Sequence, residues 1–290
     1  MSQSLFSNYG RSPGEIFGLM SRRSRLGATL VAIPLMWVSW IGHAADTRVV
    51  TLSPHAAEMV AAAGGAGLLV GVAAFTEPAV AGKLPVVGDA RGIDREKIIS
   101  LQPDLAIAWL GGNRSGDVEW LRKRGIQVYE SDPRQLDDIP REIREIGLLI
   151  GTANEAALTA GPLEKQISGL STARDDQAAR RFFFQLWHRP PMTFGADSLV
   201  SHALARCAAQ NVFGHVPRTS FTPEPEALKT ATGDVGIIPR ELGGATPLTA
   251  APVTLRVDAE AIYRPGPGFI GAIGELCDEL RAASIAESER

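Results

Sequence analysis

Histidine and cysteine are scarce in this sequence, and neither forms a cluster. Five histidines and two cysteines are spread over 290 residues. His55, His188, His202 and His215 stand apart in the chain, and the last two are too widely spaced for a compact helical pair of metal ligands. From Ala45 onward there is no Gly-x-Ser-x-Gly elbow, no P-loop and no Gly-x-Gly-x-x-Gly run after a strand-like segment. The commonest signatures of hydrolases, nucleotidases and dinucleotide-dependent enzymes are therefore missing. No catalytic residue, metal or cofactor is expected. Basic blocks are lacking too. With 29 Lys and Arg against 32 Asp and Glu, the net charge is −3, which argues against a nucleic-acid partner. Beyond residue 44 no apolar run is long enough to cross a bilayer.

What is present begins with an export signal. Ser21-Arg22-Arg23-Ser24-Arg25 supplies positive charge ahead of Leu26–Ile41, an apolar run broken only by Gly27, Thr29, Pro34 and Ser39. Gly42-His43-Ala44-Ala45 follows, with small residues at the exit. Charge, a short apolar run and small residues make a cleavable secretory signal over residues 20–44. The run is short of the ~20 residues a membrane span needs, and it contains a central Pro. Met20 is a candidate start, and Arg22-Arg23 admits a twin-arginine route. No Cys near residue 44 offers a lipid-attachment point. The mature chain is thus expected to be soluble and periplasmic. In such an oxidising compartment Cys207 and Cys277 read as a disulfide, with two buried thiols as the alternative.

From Arg48 short β-type runs alternate with helical ones. Val49–Leu52, Leu68–Ala74, Val86-Val87, Leu105–Trp109 and Val128-Tyr129 read as strands. Helices are expected at Ala56–Ala63, from Asp94 and over Val118–Arg124, the first stopped by Gly64-Gly65. This alternation implies βαβ units and a mainly parallel sheet. Ile139, Ile143, Ile146 and Ile150 then repeat at helical spacing, predicting one long helix bent near Gly161-Pro162. A second alternation restarts with strands at Phe182–Leu186 and Val235–Ile238. Its helices are expected at Leu199–Cys207, Pro225–Thr230 and Ile270–Leu280. The expected fold class is α/β: two αβ lobes joined by a single long helix, with a ligand cleft between them. The expected boundaries are a leader and signal over 1–44, an N-terminal lobe over 45–138, a linking helix over 139–172 and a C-terminal lobe over 173–290.

Several phrases carry a resemblance. Val49-Val50-Thr51-Leu52-Ser53-Pro54, Leu69-Val70-Gly71-Val72 and Gly92-Ile93-Asp94 are three of them. Ile98-Ile99-Ser100-Leu101-Gln102-Pro103-Asp104-Leu105 is the fourth. Through them the chain resembles the helical-backbone periplasmic binding proteins, which feed cobalamin, haem and ferric siderophores to ABC importers. Ala108-Trp109-Leu110-Gly111-Gly112-Asn113, the Gln185–Gly195 stretch and the cysteine positions are similar to the corrinoid-carrying branch. That branch has tryptophans where this chain has Ala90, Arg218 and Ala261. The resemblance implies a soluble carrier, acting as a monomer, that captures cobalamin or a related corrinoid and hands it to membrane permease subunits. A ferric siderophore or haem is the alternative cargo, with Arg91, Arg218 and Arg264 as candidate partners for an anionic siderophore.

The resemblance also assigns residues. Phe75 and Trp109 would face the ligand from the first lobe, and Trp187 from the second. A corrinoid is a flat, largely uncharged plate edged with amides, which suits aromatic faces. Arg264 would hydrogen-bond an amide or phosphate edge. Glu96 and Glu224, each read as the second residue of a helix, match the family's two exposed glutamates that dock onto importer arginines. Acidic residues also belong in a first turn for the helix dipole alone. Cys207 and Cys277 match the family's disulfide.

Overall fold

The computed structural model describes residues 47–170, 180–242, 248–249 and 251–288. The expected signal peptide lies outside the described residues. The first half of the chain runs β1 (Val49–Thr51), α1 (Pro54–Ala62), β2 (Leu69–Ala73), α2 (Pro78–Ala81) and β3 (Val86–Asp89). It continues with β4 (Gly92–Ile93), α3 (Arg95–Leu101), β5 (Leu105–Trp109), α4 (Ser115–Lys123) and β6 (Gln127–Ser131). These strands form one six-stranded sheet in the order β4-β3-β2-β1-β5-β6. Every pairing is parallel except β3 with β4.

Both faces of this sheet are covered, as parallel strands require. Val49, Leu69, Val72, Leu105 and Ile107 pack with Ala56, Met59 and Val60 of α1. The alternate residues Val50, Leu52, Ala106 and Ala108 pack with Ile98 of α3 and Val118 and Leu121 of α4. Helix starts follow local chemistry. The Ser53 hydroxyl accepts from the Ala56 N–H at the start of α1, and Asp94 accepts from the Lys97 N–H at the start of α3.

The expected single linking helix is two helices, α5 (Asp138–Ile150) and α6 (Ala153–Leu170). Its bend was expected at Gly161-Pro162, but the break falls at Gly151. That residue adopts a left-handed conformation (φ 79°, ψ 17°), and the Gly151 and Thr152 N–H groups return to the Gly147 carbonyl. The Thr152 hydroxyl then donates to the Ala63 carbonyl at 2.6 Å, tying the turn to the end of α1. Gly147 lets the two helices close up, because a Cβ there would lie 2.4 Å from the Ala156 methyl. Pro162 sits inside α6, which continues past it. Ile139, Ile143, Ile146 and Ile150 all point into the core.

The second half of the chain holds β7 (Arg180–Trp187), β8 (Met192–Phe194), α7 (Leu199–Ala205), β9 (Ala209–Asn211) and β10 (Ser220–Phe221). It ends with α8 (Pro225–Thr230), β11 (Val235–Pro239), β12 (Val253–Val257), α9 (Ala259–Tyr263) and α10 (Pro267–Ser288). The sheet order is β10-β8-β7-β11-β12, with β9 beside the start of β7. β7, β9, β11 and β12 pair in parallel; β8 and β10 pair antiparallel. Phe182, Phe184, Val235 and Ile237 face Phe269, Ile270, Ile273 and Leu276 of α10 in the same core that holds α1, α5 and α6. Cys207 and Cys277 form a disulfide with Cα atoms 5.8 Å apart, fastening the end of α7 to α10.

Candidate functional site

β1, β2 and β5 are parallel neighbours, so the loops after them share one edge of the sheet. After β5 the chain builds a seat for an indole. The ring of Trp109 lies across Gly111 and Gly112, and a Cβ on Gly112 would come within 2.0 Å of it. Asn113 fixes the loop from both sides. Its Oδ1 accepts the Trp109 N–H at 2.6 Å, and its Nδ2 donates to the Leu52 carbonyl at 2.9 Å. His55, just after β1, meets the indole edge-on with ring centroids 5.2 Å apart. Burial pushes the His55 imidazole down to about 4, so it is neutral at pH 7.

Phe75 follows β2 with a left-handed backbone (φ 63°) that a bulky residue seldom adopts. Its side chain is 84% exposed. Such an aromatic, turned out to solvent on a strained backbone, is a candidate contact surface. On the other sheet, Trp187 ends β7 and is 52% exposed. The neighbouring Leu186 carbonyl accepts from the Tyr263 hydroxyl at 3.1 Å. Burial, followed by the charge of Glu241, raises the Tyr263 phenol above its usual range.

Arg264 joins the two sheets' edges. Its guanidinium donates to the Phe75 carbonyl at 3.0 Å and pairs with Glu260 at 3.2 Å, Glu58 at 3.5 Å and Glu77 at 3.6 Å. Arg264 was expected to meet a ligand amide or phosphate, and here its guanidinium is engaged by these four protein groups. Burial raises the Glu58 carboxyl above the usual range, opposed by the nearby Arg264 charge. Phe75 and Arg264 are therefore in direct contact. Trp187 is linked to them through Tyr263, while Trp109 stands two strands away from Phe75 on the same edge. The spacing of Glu260 and Arg264, four apart, is the one sequence signal for this cluster. Nothing local points to Glu58, which comes from 206 residues away.

The two glutamates expected to dock lie on different helix positions. Glu96 is the second residue of α3 and is exposed. Glu224 is the N-cap of α8, not its second residue, because Pro225 takes the first helical position. It is exposed, and its side chain makes no capping bond. The guanidinium of Arg91 donates two bonds to Asp89 in the β3–β4 turn, and Arg218 lies just before β10. The three arginines sit on separate elements, with Arg264 following α9. Among the described residues no group of three or more His, Cys, Asp or Glu is placed to hold a metal ion. No helix among them is long and apolar enough to cross a membrane.

Comparison with known proteins places the chain in a family. The sequence profile described as "Periplasmic binding protein" matches residues 49–240. A vitamin B12-binding protein of Vibrio parahaemolyticus is 30% identical over 247 residues, covering 81% of this chain and 90% of that protein. Its counterpart in Pectobacterium carotovorum is 30% identical over 261 residues, covering 85% and 92%. Among solved structures, the periplasmic vitamin B12 binding protein BtuF of Vibrio cholerae is similar with a TM-score of 0.75 at 26% identity. It covers 82% of this chain and 97% of that one. The periplasmic heme-binding protein HutB of the same organism shares the fold, with a TM-score of 0.71 at 21% identity over 81% of this chain and 99% of that one.

Proposed function

The chain belongs to the periplasmic binding protein family, and on that premise we propose that it captures cobalamin or a closely related corrinoid for an ABC importer. The family and the relatives named above are binding proteins, and those relatives are described as binding vitamin B12. In the proposed cycle the protein works in the periplasm, takes the ligand in the cleft and delivers it to membrane permease subunits.

The observation that carries this reading is the set of aromatic faces offered by Phe75, Trp109 and Trp187. The indole of Trp109 rests on the Gly111-Gly112 backbone and is braced by His55. A side chain held in this way can receive a flat ring without losing much rotamer freedom on binding. Phe75 and Trp187 are exposed on their respective sheets and supply further apolar area. Arg264 frames the site by holding the Phe75 backbone, and Glu96 and Glu224 are the proposed contacts with the permease. The engaged state of Arg91 and Arg264 argues against a highly charged siderophore. The Tyr263 hydroxyl donates to Leu186 and His55 is buried, so neither is presented as an iron ligand for haem.

The test is substitution of each aromatic in turn. Phe75→Ala, Trp109→Ala and Trp187→Ala are each expected to weaken cyanocobalamin binding by about 1–2 kcal/mol, a factor of roughly 5 to 30. Affinities within about twofold of the unsubstituted protein for all three would remove these residues from the site.

A further inference from the structure

Three carboxylates converge on one guanidinium at the edge that carries Phe75. Glu58 from α1, Glu77 from the turn before α2 and Glu260 from α9 all lie within 3.6 Å of Arg264. One positive charge compensates one of them, so the cluster as a whole is acidic. The side chains of Arg264 and Glu58 are only 18% and 19% exposed, whereas those of Glu77 and Glu260 are 47% and 65% exposed. The uncompensated charge therefore faces outward, while the buried pair holds the cluster in place. Arg264 also donates to the Phe75 carbonyl, so the acidic side chains flank the backbone that presents the most exposed aromatic ring of the proposed site.

A ring system stacked on Phe75 brings its own substituents close to Glu77 and Glu260. Amide substituents are neutral and can donate N–H groups to those carboxylates. Carboxylate substituents cannot donate, and they meet like charge at a partly screened site. Resting on the corrinoid reading above, we infer that this acidic ring is a specificity determinant: it admits amide-edged macrocycles and rejects carboxylate-edged ones. Arg264 is the anchor of the ring and Glu77 and Glu260 are its selecting groups. Discrimination of this kind comes from an unfavourable contact with the wrong ligand as much as from a favourable one with the right ligand.

The experiment compares three ligands on the unsubstituted protein and on Glu77→Gln/Glu260→Gln by calorimetric titration. The ligands are cyanocobalamin, a cyanocobalamin derivative with one corrin-edge amide hydrolysed to the acid, and haemin, a flat macrocycle with two carboxylates. The unsubstituted protein should bind the acid at least about tenfold more weakly than the amide at low salt. That ratio should shrink in 0.5 M NaCl, as a charge effect must and a packing effect need not. In the double variant the ratio should fall below about threefold, and haemin affinity should rise about tenfold or more. Equal affinity for acid and amide in the unsubstituted protein would overturn the inference, as would haemin binding unaltered by the two substitutions. If no corrinoid binds at all, the functional reading fails by itself, and the haemin comparison still decides whether the carboxylates select against anions.

Discussion

His55 supports Trp109 from a position that protons reach with difficulty. Burial holds its imidazole at about 4, against 6.5 for the free side chain. A folded-state value below the unfolded one means that the unfolded chain takes up the proton first. Stability from this residue is complete above pH 6.5 and is lost as the pH falls toward 4. The difference corresponds to about 3 kcal/mol. Denaturant unfolding at pH 7 and pH 4 should therefore show about 3 kcal/mol more loss in the unsubstituted protein than in His55→Gln. Equal losses would mean that the imidazole protonates freely in the folded state. At this scale the site was half legible. Trp-x-Gly-Gly-Asn announces close backbone approach, because only glycine leaves room for a ring against the chain. The contacts of Arg264 were not legible, since three of its four partners come from distant loops and a helix whose sequences carry no mark of pairing.

Among the elements, α5 and α6 show where periodicity misleads. Isoleucines at helical spacing identify a helix, but the same spacing continues across a break when both helices face one core. Gly151 was the better stop signal, since it alone can cap α5 in the left-handed conformation without strain. Pro162 was the weaker one, because a proline removes a single donor and a well-packed helix can continue through it. In the first sheet β1, β2 and β5 were legible as buried apolar runs and β3 and β6 only as short apolar pieces, whereas the two-residue β4 was not. β12 was not, because as an edge strand it alternates half-buried and exposed residues and lacks such a run. The disulfide between the end of α7 and α10 closes 70 residues of chain. Loop entropy puts its contribution at up to about 4 kcal/mol. Cys207→Ala/Cys277→Ala should lower the unfolding free energy by up to that amount while cyanocobalamin affinity changes little, as measured by denaturant unfolding and titration. A large loss of affinity would mean that the disulfide shapes the cleft as well as bracing the lobe.

At the scale of the whole molecule, the two sheets meet through α1, α5, α6 and α10 in a single core. The Arg206–Asp137 pair at 3.0 Å and the His202–Arg134 carbonyl contact at 2.9 Å also join the two halves, in addition to the Arg264 cluster. An interface made of helices and several polar links favours small adjustments over wide hinge motion. Delivery then depends on recognition of the carrier's surface. Glu96→Lys/Glu224→Lys should abolish cargo uptake in a transport assay while leaving solution affinity within about twofold, because both side chains are exposed at helix starts. A parallel fall in affinity would remove them from the docking surface and place them in the ligand site.

The central claim is the identity of the cargo, and one titration addresses it directly. The chain from Ala45 onward, titrated calorimetrically with cyanocobalamin, should bind one equivalent with a dissociation constant of about 1 μM or tighter, near −8 kcal/mol. Absence of binding to cyanocobalamin, together with tight binding of a ferric siderophore, would contradict the account.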